Sequence, residues 1–228
     1  MNVLQTFSMT DFSKIYLAWR KGKGSRRHIV GLLERGADNN VTFQYLPETR
    51  NLVKTEGFIP YFEFQDLDKV YDSNVLQIFS HRLIKSERPD IGSFYDFWEI
   101  DLSQAQDKFY VLGKTQGLTA SDNFEFLAEY IYHPDIHFLT DLSGLSYANL
   151  PKGTVKPGDF LQYEFEGDNE FDKEAIKVMF RGRDIGYIKK IHCRIFHRAT
   201  ETPLNLQVKA VEQNGIIRKI FVKISVQG

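Results

Sequence analysis

"NEFDKEAIKVMFRGRDIGYIKK", residues 169–190, decides how the C-terminal half of this 228-residue chain is built. Asn169 and Asp172 bracket an aromatic in a polar segment of the composition that makes turns. "AIKVMF" is a short apolar strand, "RG" a tight hairpin connection, and "DIGYIK" a second strand running into an amphipathic helix at residues 189–198. Outward from this core lie "IHFLTDL" and "DFLQYEFE" on one side and "LNLQVKAVEQ" and "IIRKIFVKISV" on the other, punctuated by "KPGD" and "EQNGI". Asn-Gly between apolar runs is among the strongest short hairpin signals. Residues 136–228 are therefore expected to form a small, closed, all-β barrel with one inserted helix.

Residues 1–135 have a different texture. "KIYLAWR", "RHIVGLLE" and "VTFQYL" are three short strands separated by turn-rich "KGKGS" and "RGADNN", so a β-meander is expected. "SNVLQIFSHRLI" places Val75, Leu76, Phe79, Leu83 and Ile84 on one helical face, with Ser73 as N-cap. "RPDIGSFYDFWEI" and "DKFYVLGKTQG" add two helices, the second stopped by glycine. The fold class is α+β, with a boundary near Pro134 dividing the chain into 1–135 and 136–228.

The 42% hydrophobic content, with 19 Phe and 11 Tyr, is that of a folded chain and excludes pervasive disorder. Residues 1–135 carry 15 Lys+Arg against 19 Asp+Glu, and 136–228 carry 14 against 11, so the second half alone is basic. Local positive charge of this kind permits contact with phosphates. The lone Cys193 rules out an internal disulfide and fits a reducing compartment, on a helix face where it is buried. No window is apolar for long enough to span a bilayer, and a cytoplasmic protein with no membrane partner is expected.

The ordered elements "GLSY" (144–147), "KPGDFLQYEFEGDNEFDKEAIKVMF" (156–180) and "RDIGYIKK" (183–190) resemble the HIRAN domain, a small barrel found alone in bacteria and in some eukaryotic helicase-like repair proteins. The family pattern places Gly and an aromatic on the first strand, then Gly-Asp and an apolar strand. An Asn-x-aromatic-Asp turn follows, and a Gly-x-x-x-Lys end. The chain has "NEFD" where the family often has "NPYD", and Ser146 where some DNA-binding members carry arginine. The resemblance implies binding of single-stranded DNA at its 3′ end. Tyr147 and Phe171 would stack on bases, Asn169 would meet a base edge or the backbone, and Lys189 and Lys190 would meet phosphates. Asp172 would accept a hydrogen bond from a free 3′-hydroxyl, which a 3′-phosphate or a continuing strand lacks.

Residue chemistry alone leaves other roles open. Asn169 and Asp172 equally serve to satisfy a turn, Tyr147 and Phe171 to fill a core, and Lys189-Lys190 to solvate a first helical turn. The loop "RKGKGSRRH" (20–28) has five Lys/Arg in nine residues, and a secondary DNA contact is expected at Lys21, Lys23, Arg26 and Arg27. Residues 14–118 more faintly resemble the N-terminal subdomain of HipA-type toxin kinases, through "HIVGLL", "VTFQYL", "GFIPYFEF" and "DKFYVLGKTQG". This subdomain is an accessory one, so the resemblance implies a protein partner in a toxin–antitoxin setting and no kinase activity. No Walker loop or kinase catalytic loop is present. His192 and His197 are five apart, which does not align two zinc ligands on a helix. Asp90 is expected to open a helix instead of joining a nuclease metal site. The expected protein is a non-enzymatic bacterial DNA-binding protein in repair or defence, without cofactor or metal.

Overall fold

The computed structural model describes residues 11–22, 24–199 and 202–226. In the first half, β1 (Lys14–Arg20), β2 (Arg27–Arg35) and β3 (Val41–Tyr45) form the expected meander. A fourth strand, β4 (Phe124–Ala128), returns after the helices and pairs with the other edge of β1, giving the order β3-β2-β1-β4. Four short helices lie between: α1 (Thr49–Thr55), α2 (Val75–Phe79), α3 (Ile91–Trp98) and α4 (Lys108–Thr115). They close an aromatic core in which Phe79 packs edge-on against Phe43 and Phe126, with centroids 5.3 and 4.9 Å apart.

The helix expected from Ser73 to Ile84 is shorter than its apolar stripe. It starts at Val75 with Asn74, not Ser73, in the left-handed N-cap position, tightens to a 3-10 turn over Ser80–Arg82, and is extended at Leu83. Arg82 accounts for the stop. Its guanidinium donates to both Asp122 oxygens at 2.6 and 2.8 Å and to the Gly117 carbonyl at 2.8 Å, which ties this end to the loop before β4. The sequence gives little sign of α1, whose one buried residue is Thr49.

The second half contains β5 (His137–Asp141), β6 (Phe160–Phe165), β7 (Ile176–Phe180), β8 (Arg183–Tyr187), β9 (Leu204–Asn214) and β10 (Ile216–Val226). They form one antiparallel sheet, ordered β5-β10-β9-β6-β7-β8. The sheet curls into a half-barrel, and a single bridge brings its ends together: Ser143 N–H donates to the Tyr187 carbonyl at 2.8 Å, and Tyr187 N–H donates back at 3.0 Å. Gly186 permits this approach. Its φ is +149°, and a Cβ there would lie 2.6 Å from the Ser143 carbonyl oxygen. Arg181 and Gly182 both have positive φ, the pairing a two-residue type I′ hairpin requires. The inserted helix is α6 (Lys190–Arg198), and "GLSY", expected on a strand, lies instead at a helical turn, α5 (Leu145–Ala148), after β5.

The apolar core runs continuously from one half into the other. Phe221 of β10 packs edge-on against Phe97 and Trp98 of α3 at 5.2 and 6.0 Å, and Tyr130 stacks on Phe138 at 3.7 Å. Ion pairs rim this seam. Glu99 accepts from Lys209 and Lys223 at 2.6 and 2.8 Å, and Glu129 accepts from Arg198 at 2.6 Å. Among the described residues, no helix is long and apolar enough to cross a membrane.

Candidate nucleic-acid interface

The turn before β7 is made by Asn169. Its Oδ1 accepts from the backbone N–H groups of Phe171 and Asp172 at 2.9 and 3.1 Å, and its Nδ2 donates to Glu166 at 2.6 Å. This is the turn-building role, and it leaves one amide hydrogen of Asn169 for any other partner. The bonded turn holds Phe171 outward with 69% of its surface exposed. Asp172 is half-buried. One of its oxygens accepts from Glu174 N–H at 3.1 Å, and the other has no hydrogen-bond partner among the described residues.

A ring of contacts places this turn at one end of the half-barrel. Glu166 lies against the Tyr187 hydroxyl, and hydrogen bonding chiefly from Asn169 holds the Glu166 carboxyl below its usual range. Tyr187 is bridged to Ser143, which lies just before Gly144, the N-cap of α5, the helix that bears the outward-facing Tyr147, 88% exposed. Arg27 reaches across from the first half to donate to Ser143 Oγ at 3.1 Å, while the neighbouring Arg26 guanidinium lies 5.6 Å from the Phe171 ring centroid. Phe171 and Asp172 thus lie at the Tyr187 end of β8, while Tyr147 stands on α5, whose next residue, Ala148, is met by Arg183. Lys190 is exposed at the start of α6, directly after β8.

Lys189 is a different residue from its neighbour. Its side chain is fully buried, donating to Gln116 Oε1 at 2.5 Å and to Asp141 Oδ1, with Glu125 Oε2 at 3.3 Å. The expected phosphate contact at Lys189 is therefore overturned: an ammonium enclosed by carboxylates of both halves has no surface to offer a phosphate. Burial alone would raise the Glu125 carboxyl, but Lys189, Arg27 and Arg20 together outweigh it and hold the group well below the carboxylate range. His192, packed beside them, hydrogen-bonds Thr140 at 2.8 Å. Burial and then the Lys189 charge lower its pKa to about 3, so it is a neutral core residue.

The expected secondary residues separate in the same way. Arg27 is committed to Glu125 at 2.8 Å and to Ser143, so its expected DNA contact is corrected to a structural one. Lys21 is exposed but borders a separate groove with Trp19, Ile59 and Phe62. Lys23 lies outside the described residues. Of the three described residues, Arg26 lies over a residue of the expected site. Sequence reasoning missed Arg183, which it took only as part of a hairpin. Its guanidinium reaches the Ala148 carbonyl at 3.4 Å, one residue beyond Tyr147. Cys193 is buried, its thiol pushed up to about 12, and among the described residues no group of His, Cys, Asp or Glu is placed to hold a metal ion. Asp90 stands at the start of α3, paired with Arg88 at 2.7 Å.

Comparison with known proteins bears on the second half. No curated protein matches the chain. The crystal structure of the HIRAN domain of human HLTF is similar at 20% identity, covering 39% of this chain and 74% of that one, with a TM-score of 0.32. The family model of the HIRAN domain matches residues 136–212, the span that contains β5 to β8, α6 and the Asn169 turn. Residues 136–212 of this chain thus match the HIRAN domain, the part of the chain for which a family likeness is found.

Proposed function

We propose that this chain binds single-stranded DNA through its second half, with preference for a free 3′-hydroxyl end, and that it acts by binding and not by catalysis. The HIRAN match supports a nucleic-acid-binding role. The observation that carries the finer reading is the outward Phe171 beside Asp172, whose second carboxylate oxygen lacks a hydrogen-bond partner among the described residues; exposed Tyr147 is a second aromatic of the same domain. Exposed aromatics stack on bases without reading sequence. Lys190 and the N–H groups opening α6 supply phosphate contacts on the same side of β8.

The charge of the turn favours an end over a continuing strand. Residues 166–174 hold five carboxylates and one lysine, a poor surface for a passing phosphate backbone. A terminal hydroxyl donates to Asp172 where a phosphate would be repelled. Fluorescence anisotropy with short oligonucleotides ending in 3′-hydroxyl or 3′-phosphate tests this. A charge-assisted hydrogen bond is worth about 1.5–3 kcal/mol, so the hydroxyl end is expected to bind roughly 10- to 100-fold more tightly, and Asp172→Ala to abolish the difference. Equal binding of the two ends refutes the end-reading. Such binding suits work at broken or processed DNA, in repair or defence.

A second reading concerns residues 1–135, proposed as a unit that docks a protein. It is favoured by an open groove of about 770 Å³ at whose lip Ile59 and Phe62 are 75% and 84% exposed, together with the resemblance to the HipA accessory subdomain. Co-elution of the full chain with a HipA-type kinase, lost in Phe62→Ser, is the expected result; absence of co-elution removes this reading.

A further inference from the structure

We propose that the DNA site is composite: Arg26, from the first half and outside the HIRAN span, backs the Phe171 ring and takes the phosphate next to the base stacked there. The proposal rests on the nucleic-acid reading above and adds to it a residue from the β1–β2 hairpin. Three arginines of that hairpin behave differently. Arg20 and Arg27 both turn to the buried Glu125, at 3.9 and 2.8 Å, and Arg27 also donates to Ser143. These contacts pin the hairpin against the second half. Arg26, one residue before β2, makes no ion pair or hydrogen bond among the described residues, and its guanidinium lies over Phe171 at 5.6 Å.

The placement has a chemical logic. Lys189 is withdrawn from the surface, and the 166–174 turn is acidic, so a phosphate beside Phe171 requires a cation from elsewhere. The guanidinium lies over the ring, and the ring is mostly exposed. A guanidinium keeps its planar fork of N–H donors available at its edge while its face rests on an aromatic, which a lysine ammonium cannot do. Arg26 thereby holds the ring in place and remains able to bind an oxyanion. The competing role for Arg26, neutralising the acidic turn within the protein, predicts no dependence of DNA binding on this residue.

The test uses the full chain and a 5′-labelled oligothymidine with a 3′-hydroxyl, titrated by anisotropy over about 50–300 mM salt. Arg26→Ala is expected to bind roughly 5- to 20-fold more weakly at low salt, with the slope of log K against log salt reduced by about 0.7, the loss of one single-strand phosphate contact. Arg26→Lys is expected to keep the slope and lose part of the affinity. If Arg26→Ala binds within about twofold of wild type with an unchanged slope while Phe171→Ala is impaired, the composite site is overturned and the nucleic-acid reading stands. If wild type itself does not bind, both fall. An unchanged thermal midpoint for Arg26→Ala confirms that the variant is folded.

Discussion

Replacing Lys189 by methionine probes the seam between the halves most directly. The side chain length is kept, but the ammonium that joins Gln116, Asp141 and Glu125 is removed. Glu125 retains Arg27 and Arg20; Asp141 has no other ion-pair partner among the described residues. Deleting one member of a buried charge network leaves the others uncompensated, at a cost of about 3–5 kcal/mol. Lys190→Met, at an exposed position one residue on, is expected to change stability by less than about 0.5 kcal/mol and to weaken DNA binding instead. Guanidinium denaturation followed by far-UV circular dichroism measures both. The pH dependence gives a further check. A carboxyl held below its ordinary value of 4.5 stabilises the fold above that pH, and its contribution fades as the pH drops below it. Without Lys189 the Glu125 carboxyl is less depressed, so the gap between wild type and variant should narrow as the solution is acidified. A loss under about 1 kcal/mol at neutral pH, or a gap that widens in acid, would refute the assignment of Lys189 to the seam.

Gly186→Ala places a methyl group 2.6 Å from the Ser143 carbonyl oxygen at a φ of +149°, so a loss of about 2–4 kcal/mol is expected, with faster amide exchange at Ser143 and Tyr187. His192 titrates near 3 when folded and near 6.5 when unfolded. Its neutral form therefore contributes stability that is complete above pH 6.5 and is lost as the pH falls toward 3, by at most about 5 kcal/mol; His192→Gln should flatten the melting profile over that window. Tyr147→Ala and Phe171→Ala should each cost about 1–3 kcal/mol in single-strand affinity while leaving the thermal midpoint unchanged, since both rings are mostly exposed.

Strands and hairpins were legible because their signals are local. Alternating burial from Lys14 to Leu17 in β1, the positive-φ pair at "RG" and the left-handed Gly215 of the Asn-Gly turn depend on a few adjacent residues. The return of β4 to β1 was not legible, because nothing in "FEFLA" specifies a partner so far away in the chain. The lysine pair shows the same limit at the level of one residue. Lys189 and Lys190 are chemically identical in the sequence, yet the first ends the strand segment with its side chain turned inward and the second begins a helix facing water. Lys189 meets Gln116, whose distance along the chain hides the pairing from any local pattern. Asn169 builds its turn with three short bonds, a role that its residue type and place between strands already suggest.

The continuous core has a practical consequence for anyone who excises the HIRAN portion. A fragment of residues 136–228 would present Phe138 and Phe221 to solvent without Tyr130, Phe97 and Trp98, and would leave Lys189 and Asp141 without Gln116 and Glu125. Bared aromatics beside a stranded ion pair make a sticky surface. Weak or erratic behaviour of such a fragment would report the wound left by the cut, and not the affinity of the intact protein for DNA.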